Sequence, residues 1–177
     1  AVYSKSKDTE TTTAELNKIK YFQDKNDLIQ FVKNQSQVGT DKASAIVIGS
    51  KGRSGTGAMD FLSSIDWQVT GWDQEETSIG GPFKDILEHD LFVNCVLAMS
   101  KMPPFVTKEM IEESNKKLKM ISDVSCDPDS ECNMVPLYDE ATLLSAPIKQ
   151  VTAGALPVSI CAIDNLPSIL PKESSYD

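Results

Sequence analysis

The fold is decided by the stretch Ser44-Ala-Ile-Val-Ile-Gly49, which runs directly into Ser50-Lys-Gly-Arg-Ser-Gly-Thr-Gly-Ala58. The first six residues are β-rich and apolar and stop at a glycine, which is typical of a buried strand. Apolar residues at helical spacing then predict a helix over residues 54–65. In a βαβ unit, glycines at such a turn let the backbone approach a pyrophosphate. The helix N-terminus offers free N–H groups and a positive dipole end.

The glycines of this turn are spaced Gly52-x-x-Gly55-x-Gly57, which differs from the G-x-G-x-x-G fingerprint of dinucleotide-binding turns. A glycine-rich turn that binds no ligand is therefore an alternative. If the turn does bind a cofactor, a side chain at Gly55 or Gly57 should clash with the cofactor or with the neighbouring strand. We then expect Gly55→Val to abolish NAD binding and to leave the domain folded.

Asp73 follows a second predicted strand over residues 67–72 and lies 18 residues after Gly55. At this position a carboxylate accepts hydrogen bonds from the adenosine ribose of NAD and repels the 2′-phosphate of NADP. The pattern therefore favours NAD as the cofactor, with a helix cap or an exposed loop acid as the alternative for Asp73. Arg53 is interpreted as a contact to the diphosphate.

Strands and helices continue to alternate along the chain. Further strands are predicted over residues 91–97, 119–124 and 158–163, with a possible sixth near 148–151; further helices are predicted from Asn26 or Asp27 to Asn34 and over 108–117. Alternation with strands that are apolar on both faces predicts an α/β fold: a Rossmann-like, doubly wound, mainly parallel sheet with helices on both faces.

Length and composition limit the classes of protein to which this chain can belong. A chain of 177 residues has about the length of one domain, and its net charge of −9 argues against a nucleic-acid partner, which needs basic patches. No purely apolar run is longer than the five residues Cys95 to Met99, which is far too short to span a membrane. There is no secretory start. Because the first residue is Ala1, we expect an excised piece of a longer protein.

Candidates for catalysis or metal binding are few. His89 is the only histidine; it precedes the third strand, away from the ligand-binding end of the sheet, and is interpreted as a solvated loop residue. Cys126 and Cys132 are spaced C-x5-C with no second Cys/His pair, so no metal site is predicted. Cys95 and Cys161 lie in apolar runs and are interpreted as reduced, buried thiols, which suits the cytoplasm. Trp67 and Trp72 are interpreted as packing residues.

Four blocks of sequence follow one another along the chain: Gly52-Arg-Ser-Gly-Thr-Gly-Ala58, Trp72-Asp-Gln-Glu-Glu-Thr-Ser-Ile-Gly-Gly-Pro-Phe83, Asp123-Val-Ser125 with Pro136-Leu-Tyr138, and Ala162-Ile-Asp-Asn-Leu-Pro-Ser-Ile-Leu-Pro-Lys-Glu173. Together they resemble the NAD-dependent, lysine-forming saccharopine dehydrogenases, which are similar in fold to alanine dehydrogenase and transhydrogenase. The resemblance runs from about Ser44 to Glu173.

The resemblance implies the cofactor domain of a two-domain enzyme that oxidises saccharopine with NAD and releases L-lysine and 2-oxoglutarate. It implies a catalytic lysine and histidine in a missing N-terminal domain, so no catalytic residue is assigned within this chain. Residues 1–43 would be an inter-domain segment with one helix, 44–166 the NAD-binding domain, and 167–177 the start of a segment returning to the missing domain.

The resemblance also implies contacts to the cofactor. Gly52 and Arg53 would contact the diphosphate, and Asp73 and Thr77 would hold the adenosine ribose. Leu97 and Val124 would line the adenine and nicotinamide regions, and Ser125 would also contact the cofactor. The nicotinamide end would be approached by Ile163, Asp164, Asn165 and Leu166, with Asp164 nearest the substrate.

Two other functions remain open from the sequence. One is a lysine–2-oxoglutarate reductase that uses NADPH, against which Asp73 and the Gly-Gly-Pro-Phe block argue. The other is a non-catalytic module that binds a dinucleotide, which the absence of an acid–base pair keeps open for the isolated chain.

Overall fold

The computed structural model describes residues 21–35, 42–153, 156–164, 169–170 and 172. They contain one six-stranded sheet of order β2-β1-β3-β4-β6-β5. The strands are β1 Ser44–Ile48, β2 Gln68–Trp72, β3 Leu91–Asn94, β4 Met120–Asp123, β5 Lys149–Gln150 and β6 Ser159–Cys161. Every pairing is parallel except that of β5 with β6, which is antiparallel. The predicted Rossmann-like, mainly parallel α/β sheet is confirmed.

One predicted helix is shorter in the structure, and two short helices were not predicted. The helices are α1 Lys25–Gln35, α2 Arg53–Ser64, α3 Gln74–Thr77, a 3₁₀ helix at Lys84–Glu88, and α4 Lys108–Ile111. The predicted helix over 108–117 is thus wrong beyond Ile111, because the Lys117 N–H donates instead to the Leu87 carbonyl at 2.7 Å. Helix α1 is capped by neither Asn26 nor Asp27. The Asp24 carboxylate accepts from both of their N–H groups, at 2.8 and 3.1 Å.

The sheet is packed on both faces, and alternate residues of β1 point to opposite sides. Ala45 and Val47 belong to a core formed with α1 and α2, which contribute Leu28, Val32, Leu62 and Ile65. Ile46 and Ile48 belong to a second core formed with the 3₁₀ helix, α4 and the loops before and after α4, including Ile86, Phe105, Ile111 and Met134. Trp67 packs against the first core and Trp72 against the second, so both are packing residues as predicted.

The strand order creates a crevice at one edge of the sheet. From β1 the chain goes to β2 on one side and then crosses to β3 on the other side. We call the edge after Ile48, Trp72, Asn94, Asp123 and Cys161 the carboxyl edge, and the opposite edge, before Ser44, Gln68, Leu91 and Met120, the amino edge. In open α/β sheets, ligands bind at the carboxyl edge where the strand order reverses. Among the described residues no helix is long and apolar enough to cross a bilayer.

Candidate functional site: the carboxyl edge

The turn after β1 is fixed to the end of β2 by backbone hydrogen bonds. The N–H groups of Gly49 and Ser50 both donate to the Trp72 carbonyl, at 2.9 and 3.0 Å. Gly49 has φ +87°, in the left-handed region where glycine is the least strained residue. The Gly52 N–H then folds back to the Gly49 carbonyl at 3.1 Å. These bonds place the start of α2 at the carboxyl edge, beside the end of β2.

Helix α2 begins with an open N-terminus. Gly52 is its N-cap residue and supplies no side-chain cap, so the first N–H groups of the helix have no intrahelical acceptor. Gly52 and Arg53 are both exposed. An exposed helix N-terminus of this kind, with an arginine in its first turn, suits an anionic group such as a diphosphate.

Gly55 and Gly57 differ in what a side chain would meet within the chain: the expected clash of Gly57 with the neighbouring strand is wrong, and its clash with a cofactor stays a prediction. A Cβ at Gly55 would overlap the carbonyl oxygen of Gly49, so this glycine allows α2 to pack against its own turn. A Cβ at Gly57 would meet nothing within 4 Å. The clash at Gly55 involves the backbone of Gly49 and Ser50, not the neighbouring strand. Gly55→Val is therefore expected to disturb the fold of the turn itself, which corrects the expectation that the domain would be unaffected.

Asp73 links the glycine turn to the segment after β2. Its Oδ2 accepts from the Lys51 N–H at 2.9 Å and its Oδ1 from the Gln74 N–H at 2.9 Å. These two bonds hold the pKa of Asp73 below its ordinary value. Asp73 is also the N-cap of α3 in a capping box with Glu76. The cap that the sequence offered as an alternative is therefore present, and it leaves further acceptor positions on an ionised carboxylate.

Thr77 lies in α3 with its side chain buried. Its hydroxyl donates to the Asp73 carbonyl at 2.8 Å, and its N–H donates to the same oxygen at 3.1 Å. Both bonds hold the short helix against Asp73. The predicted contact of Thr77 with a ribose stays a prediction.

A buried carboxylate that was not predicted as a site residue organises the ends of β3 and β4. Asp123 is 3% exposed. Its Oδ1 accepts from Asn94 Nδ2 at 2.9 Å and from the N–H groups of Ser125 and Cys126 at 3.2 and 3.4 Å. Its Oδ2 accepts from the Tyr138 hydroxyl at 2.7 Å. Burial, and then the bond to Asp123, raise the pKa of Tyr138, so the phenol stays protonated.

The same network ends β3 earlier than predicted. Beyond Asn94 the Val96 N–H donates to the Asn94 side chain at 3.2 Å, and the Ser125 hydroxyl donates to the Val96 carbonyl at 2.7 Å. These bonds turn the chain out of the sheet, so Leu97 lies in a loop and is 64% exposed. The predicted strand over 91–97 is therefore wrong beyond Asn94.

A pocket of about 280 Å³ opens beside this network, between the ends of β4 and β6. Its lining includes several residues predicted to face the cofactor: Val124, Ser125, Ile163 and Asp164. Val124 is 48% exposed, and Asp164 is also exposed. Leu97 is not part of this lining. Asn165 and Leu166 lie outside the described residues.

Comparison of the sequence with known proteins finds relatives of this chain. Curated relatives include the saccharopine dehydrogenases [NAD(+), L-lysine-forming] of Candida albicans, Neurospora crassa and Schizosaccharomyces pombe, at 38%, 40% and 38% identity. The matches cover 87%, 84% and 89% of this chain. This chain is homologous to part of a saccharopine dehydrogenase. It spans less than half the length of these relatives, at 43%, 42% and 45%. No protein-family model matches it.

The homology confirms the resemblance that the four sequence blocks indicated. Three of the blocks carry the carboxyl-edge geometry: the glycine turn, the segment from Trp72 to Phe83, and Asp123 with Tyr138. Asp123 could have been singled out from the sequence, because a carboxylate that directly follows an apolar strand is at the ligand-binding edge of a parallel sheet. Its partners Asn94 and Tyr138 carry no such signal.

Burial favours the protonated form of three of the four thiols. All four cysteines are free and half-buried. Burial, and secondarily the Asp123 charge, raises the pKa of Cys95 to about 11. Burial also raises the pKa values of Cys126 and Cys161. Protonated thiols are poor nucleophiles and metal ligands. Among the described residues no group of three or more His, Cys, Asp or Glu side chains could hold a metal ion.

His89 lies at the amino edge, as predicted, but it is not a solvated loop residue. It is half-buried, with Nε2 3.0 Å from the Thr70 hydroxyl and Nδ1 2.9 Å from the Asp85 carbonyl. The neighbouring Asp90 accepts from Lys119 Nζ at 2.6 Å and from the Ser44 N–H at 3.0 Å. The two contacts of its imidazole give His89 a structural role, at the opposite end of the strands from the glycine turn.

Proposed function

We propose that this chain is the NAD-binding part of a saccharopine dehydrogenase, an NAD-dependent oxidoreductase acting on a CH–NH bond. The reaction would cleave saccharopine to L-lysine and 2-oxoglutarate in the cytoplasm. One observation carries the proposal: the glycine turn and the Asp73 carboxylate are joined by a hydrogen bond at the carboxyl edge, beside the point where the strand order reverses. Relatives named as NAD-dependent support NAD as the cofactor.

The two ends of the proposed cofactor site have different chemistry. At one end, the open N-terminus of α2 and the Arg53 guanidinium would hold the diphosphate, and the ionised Asp73 carboxylate would accept from the ribose hydroxyls. At the other end, the nicotinamide would lie towards Val124, Ser125, Ile163 and Asp164. The exposed Leu97 side chain, on the loop after β3, would cover an apolar part of the cofactor.

Acid–base groups for the reaction would come from another part of the protein. NAD, when bound, supplies the acceptor for the hydride that leaves the saccharopine carbon. The chain's own carboxylate nearest that end is Asp164, which is exposed and suited to orienting a cationic amine. Amine deprotonation and imine hydrolysis need a base that titrates near neutral pH, and His89 lies at the amino edge. As the resemblance to saccharopine dehydrogenases implies, we propose that these groups are a lysine and a histidine of an N-terminal domain outside this chain, and that residues 1–177 alone do not oxidise saccharopine.

The test uses the protein that carries this chain. Saccharopine-dependent formation of NADH would be followed by its absorbance, with NADP⁺ as the competing cofactor. The Asp73→Ser variant should raise the NADP-to-NAD preference at least about tenfold, which corresponds to about 1.4 kcal/mol and is within the range for one charge-assisted hydrogen bond. Asp85→Ser, which removes the same charge from the exposed side of the 3₁₀ helix, is the matched control.

Three outcomes would contradict the proposal. Activity with NADPH in preference to NADH would favour the reductase. Dinucleotide binding without saccharopine oxidation would favour a non-catalytic module. An unchanged cofactor ratio in Asp73→Ser would leave Asp73 as a helix cap alone.

A further inference from the structure

Lys51 lies in the glycine turn, next to Asp73, the carboxylate that is proposed to bind the ribose. Its backbone N–H donates to Asp73 Oδ2 at 2.9 Å, so the base of its side chain is fixed beside Asp73. The side chain itself is exposed, and none of the ion pairs within 4.0 Å in the described part of the chain involves it. A four-carbon stem rooted there can move its ammonium group across the ribose end of the site.

The segment to which the Lys51 backbone is bonded is acidic. Helix α3 and its cap carry Asp73, Glu75 and Glu76 in succession. The Lys51 charge acts on two of them, because it contributes to the lowered pKa values of both Asp73 and Glu76. Arg53 is not among the charges that shift either carboxylate. Lys51, not Arg53, is therefore the positive charge at the ribose end.

We propose that Lys51 is a specificity-determining residue that pairs with a phosphate on the ribose 2′-oxygen and so weakens the discrimination against 2′-phosphorylated adenine nucleotides. The inference rests on the proposed function, since it places a ribose at Asp73. Asp73 repels a 2′-phosphate and Lys51 attracts it, so the two residues act in opposite directions on the same group. The site favours NAD, and it does so less strongly than it would with a neutral side chain at position 51.

Two probes separate the 2′-phosphate from the rest of the nucleotide. Adenosine 2′,5′-bisphosphate and 5′-AMP differ only in that phosphate, and their affinities for the full chain would be measured by calorimetry. Lys51→Met keeps the backbone bond to Asp73 and removes only the ammonium group. It should weaken the bisphosphate about fivefold and 5′-AMP less than about twofold, as expected for one exposed charge pair that salt screens.

The matched control is Lys42→Met, which makes the same change of charge at an exposed side chain of the amino edge and should leave both affinities unchanged. A second comparison uses the Asp73→Ser background, in which the bisphosphate should bind more tightly than in the unmodified chain. Adding Lys51→Met should then remove most of that gain. Circular dichroism would verify that each variant is folded.

The outcomes distinguish this inference from the function on which it rests. If Lys51→Met weakens both probes equally, or neither, Lys51 does not recognise the 2′-phosphate and the inference is overturned while the NAD site stands. If neither probe binds the unmodified chain, the proposed nucleotide site fails and the inference fails with it. A similar loss of bisphosphate affinity in Lys42→Met would show a long-range charge effect and would also overturn it.

Discussion

Asp123 at the carboxyl edge and Asp90 at the amino edge are held by different kinds of donor. Asp90 accepts from the Lys119 ammonium group and from Ser44. Burial opposes its ionisation, but these bonds and the Lys119 charge together lower the pKa of Asp90. The donors to Asp123 are an amide, two backbone N–H groups and a phenol, none of them charged. At the amino edge a cation compensates the charge of Asp90, whereas at the carboxyl edge the dipoles of uncharged donors solvate Asp123.

The difference fits the tasks of the two edges. The ion pair at the amino edge links Lys119, directly before β4, to Asp90, directly before β3, and Asp90 also accepts from Ser44 at the start of β1. At the carboxyl edge the Asp123 charge contributes to the raised pKa values of Cys95 and Cys126. The carboxylate also gathers the loops after β3 and β4, which carry Leu97 and Val124, around one acceptor.

The largest loss of stability is expected when the Asp123 carboxylate, which uncharged dipoles solvate, is removed. Asp123→Ala leaves the buried Asn94 amide and Tyr138 hydroxyl without their acceptor, so the free energy of unfolding should fall by about 3 kcal/mol. Urea unfolding monitored by circular dichroism would measure it. Tyr138→Phe removes one donor and leaves the carboxylate with three, so it should cost about half as much.

The edge-by-edge comparison supplies the control for that experiment. Asp90→Ala removes a carboxylate that is only partly buried and leaves the Lys119 ammonium able to reach water, so its cost should be about 1 kcal/mol. Equal losses for Asp123→Ala and Asp90→Ala would mean that the dipole-solvated network is no more important to stability than the ion pair, and the distinction between the edges would fail.

A second prediction concerns two glycines within the carboxyl edge. Gly55→Ala should destabilise the protein by about 2 kcal/mol, because the new Cβ overlaps the Gly49 carbonyl and the turn must move. Gly57→Ala should stabilise it by about 0.5–1 kcal/mol, because α2 gains helix propensity and the new methyl group meets open space. Thermal unfolding of both variants tests the pair, and two losses of similar size would contradict the geometry.

The β1–α2–β2 unit was predictable because its signals are local. A short apolar run that ends at a glycine, and a helical period that follows it, specify the strand, turn and helix within about twenty residues. The observed helix, Arg53–Ser64, differs from the predicted one by one residue at each end, and the observed strand, Ser44–Ile48, ends one residue earlier than predicted. The position of Asp73 after β2 follows from the same local pattern.

The remainder depends on contacts between distant segments. Two donors to Asp123, Asn94 and Tyr138, lie 29 and 15 residues away from it in the sequence, and no local pattern relates these positions. Helix α4 ends early because the Lys117 N–H bonds to Leu87, 30 residues before it. His89 looked solvated because its partner Thr70 belongs to another strand. Local periodicity carries no information about such tertiary partners.

The smallest change in stability is expected at the amino edge, and it is the change that depends on pH. Lys119→Met removes the cation from Asp90, so the burial of that carboxylate is no longer offset and its folded-state pKa should rise. Since the pKa of Asp90 is lowered in the unmodified protein, the pair stabilises the fold above the unfolded-state value of about 4 and stops doing so as the pH falls through the folded value. The stability difference between the two proteins should be at most about 1 kcal/mol near neutral pH, because Lys119 is itself partly exposed.

The matched control is Lys149→Met, whose pair with Asp139 has the same 2.6 Å separation but an Asp139 side chain that is 85% exposed, against 16% for Asp90. Solvent screens that pair, so its loss should change the unfolding free energy little at any pH. Urea unfolding at a series of pH values from neutral to about 3 would compare the two variants with the unmodified protein. The Lys119→Met difference should shrink as the pH falls below about 4, while the Lys149→Met difference stays flat. If both curves coincide, burial of the carboxylate does not decide the strength of the ion pair, and the amino edge is held together by packing instead.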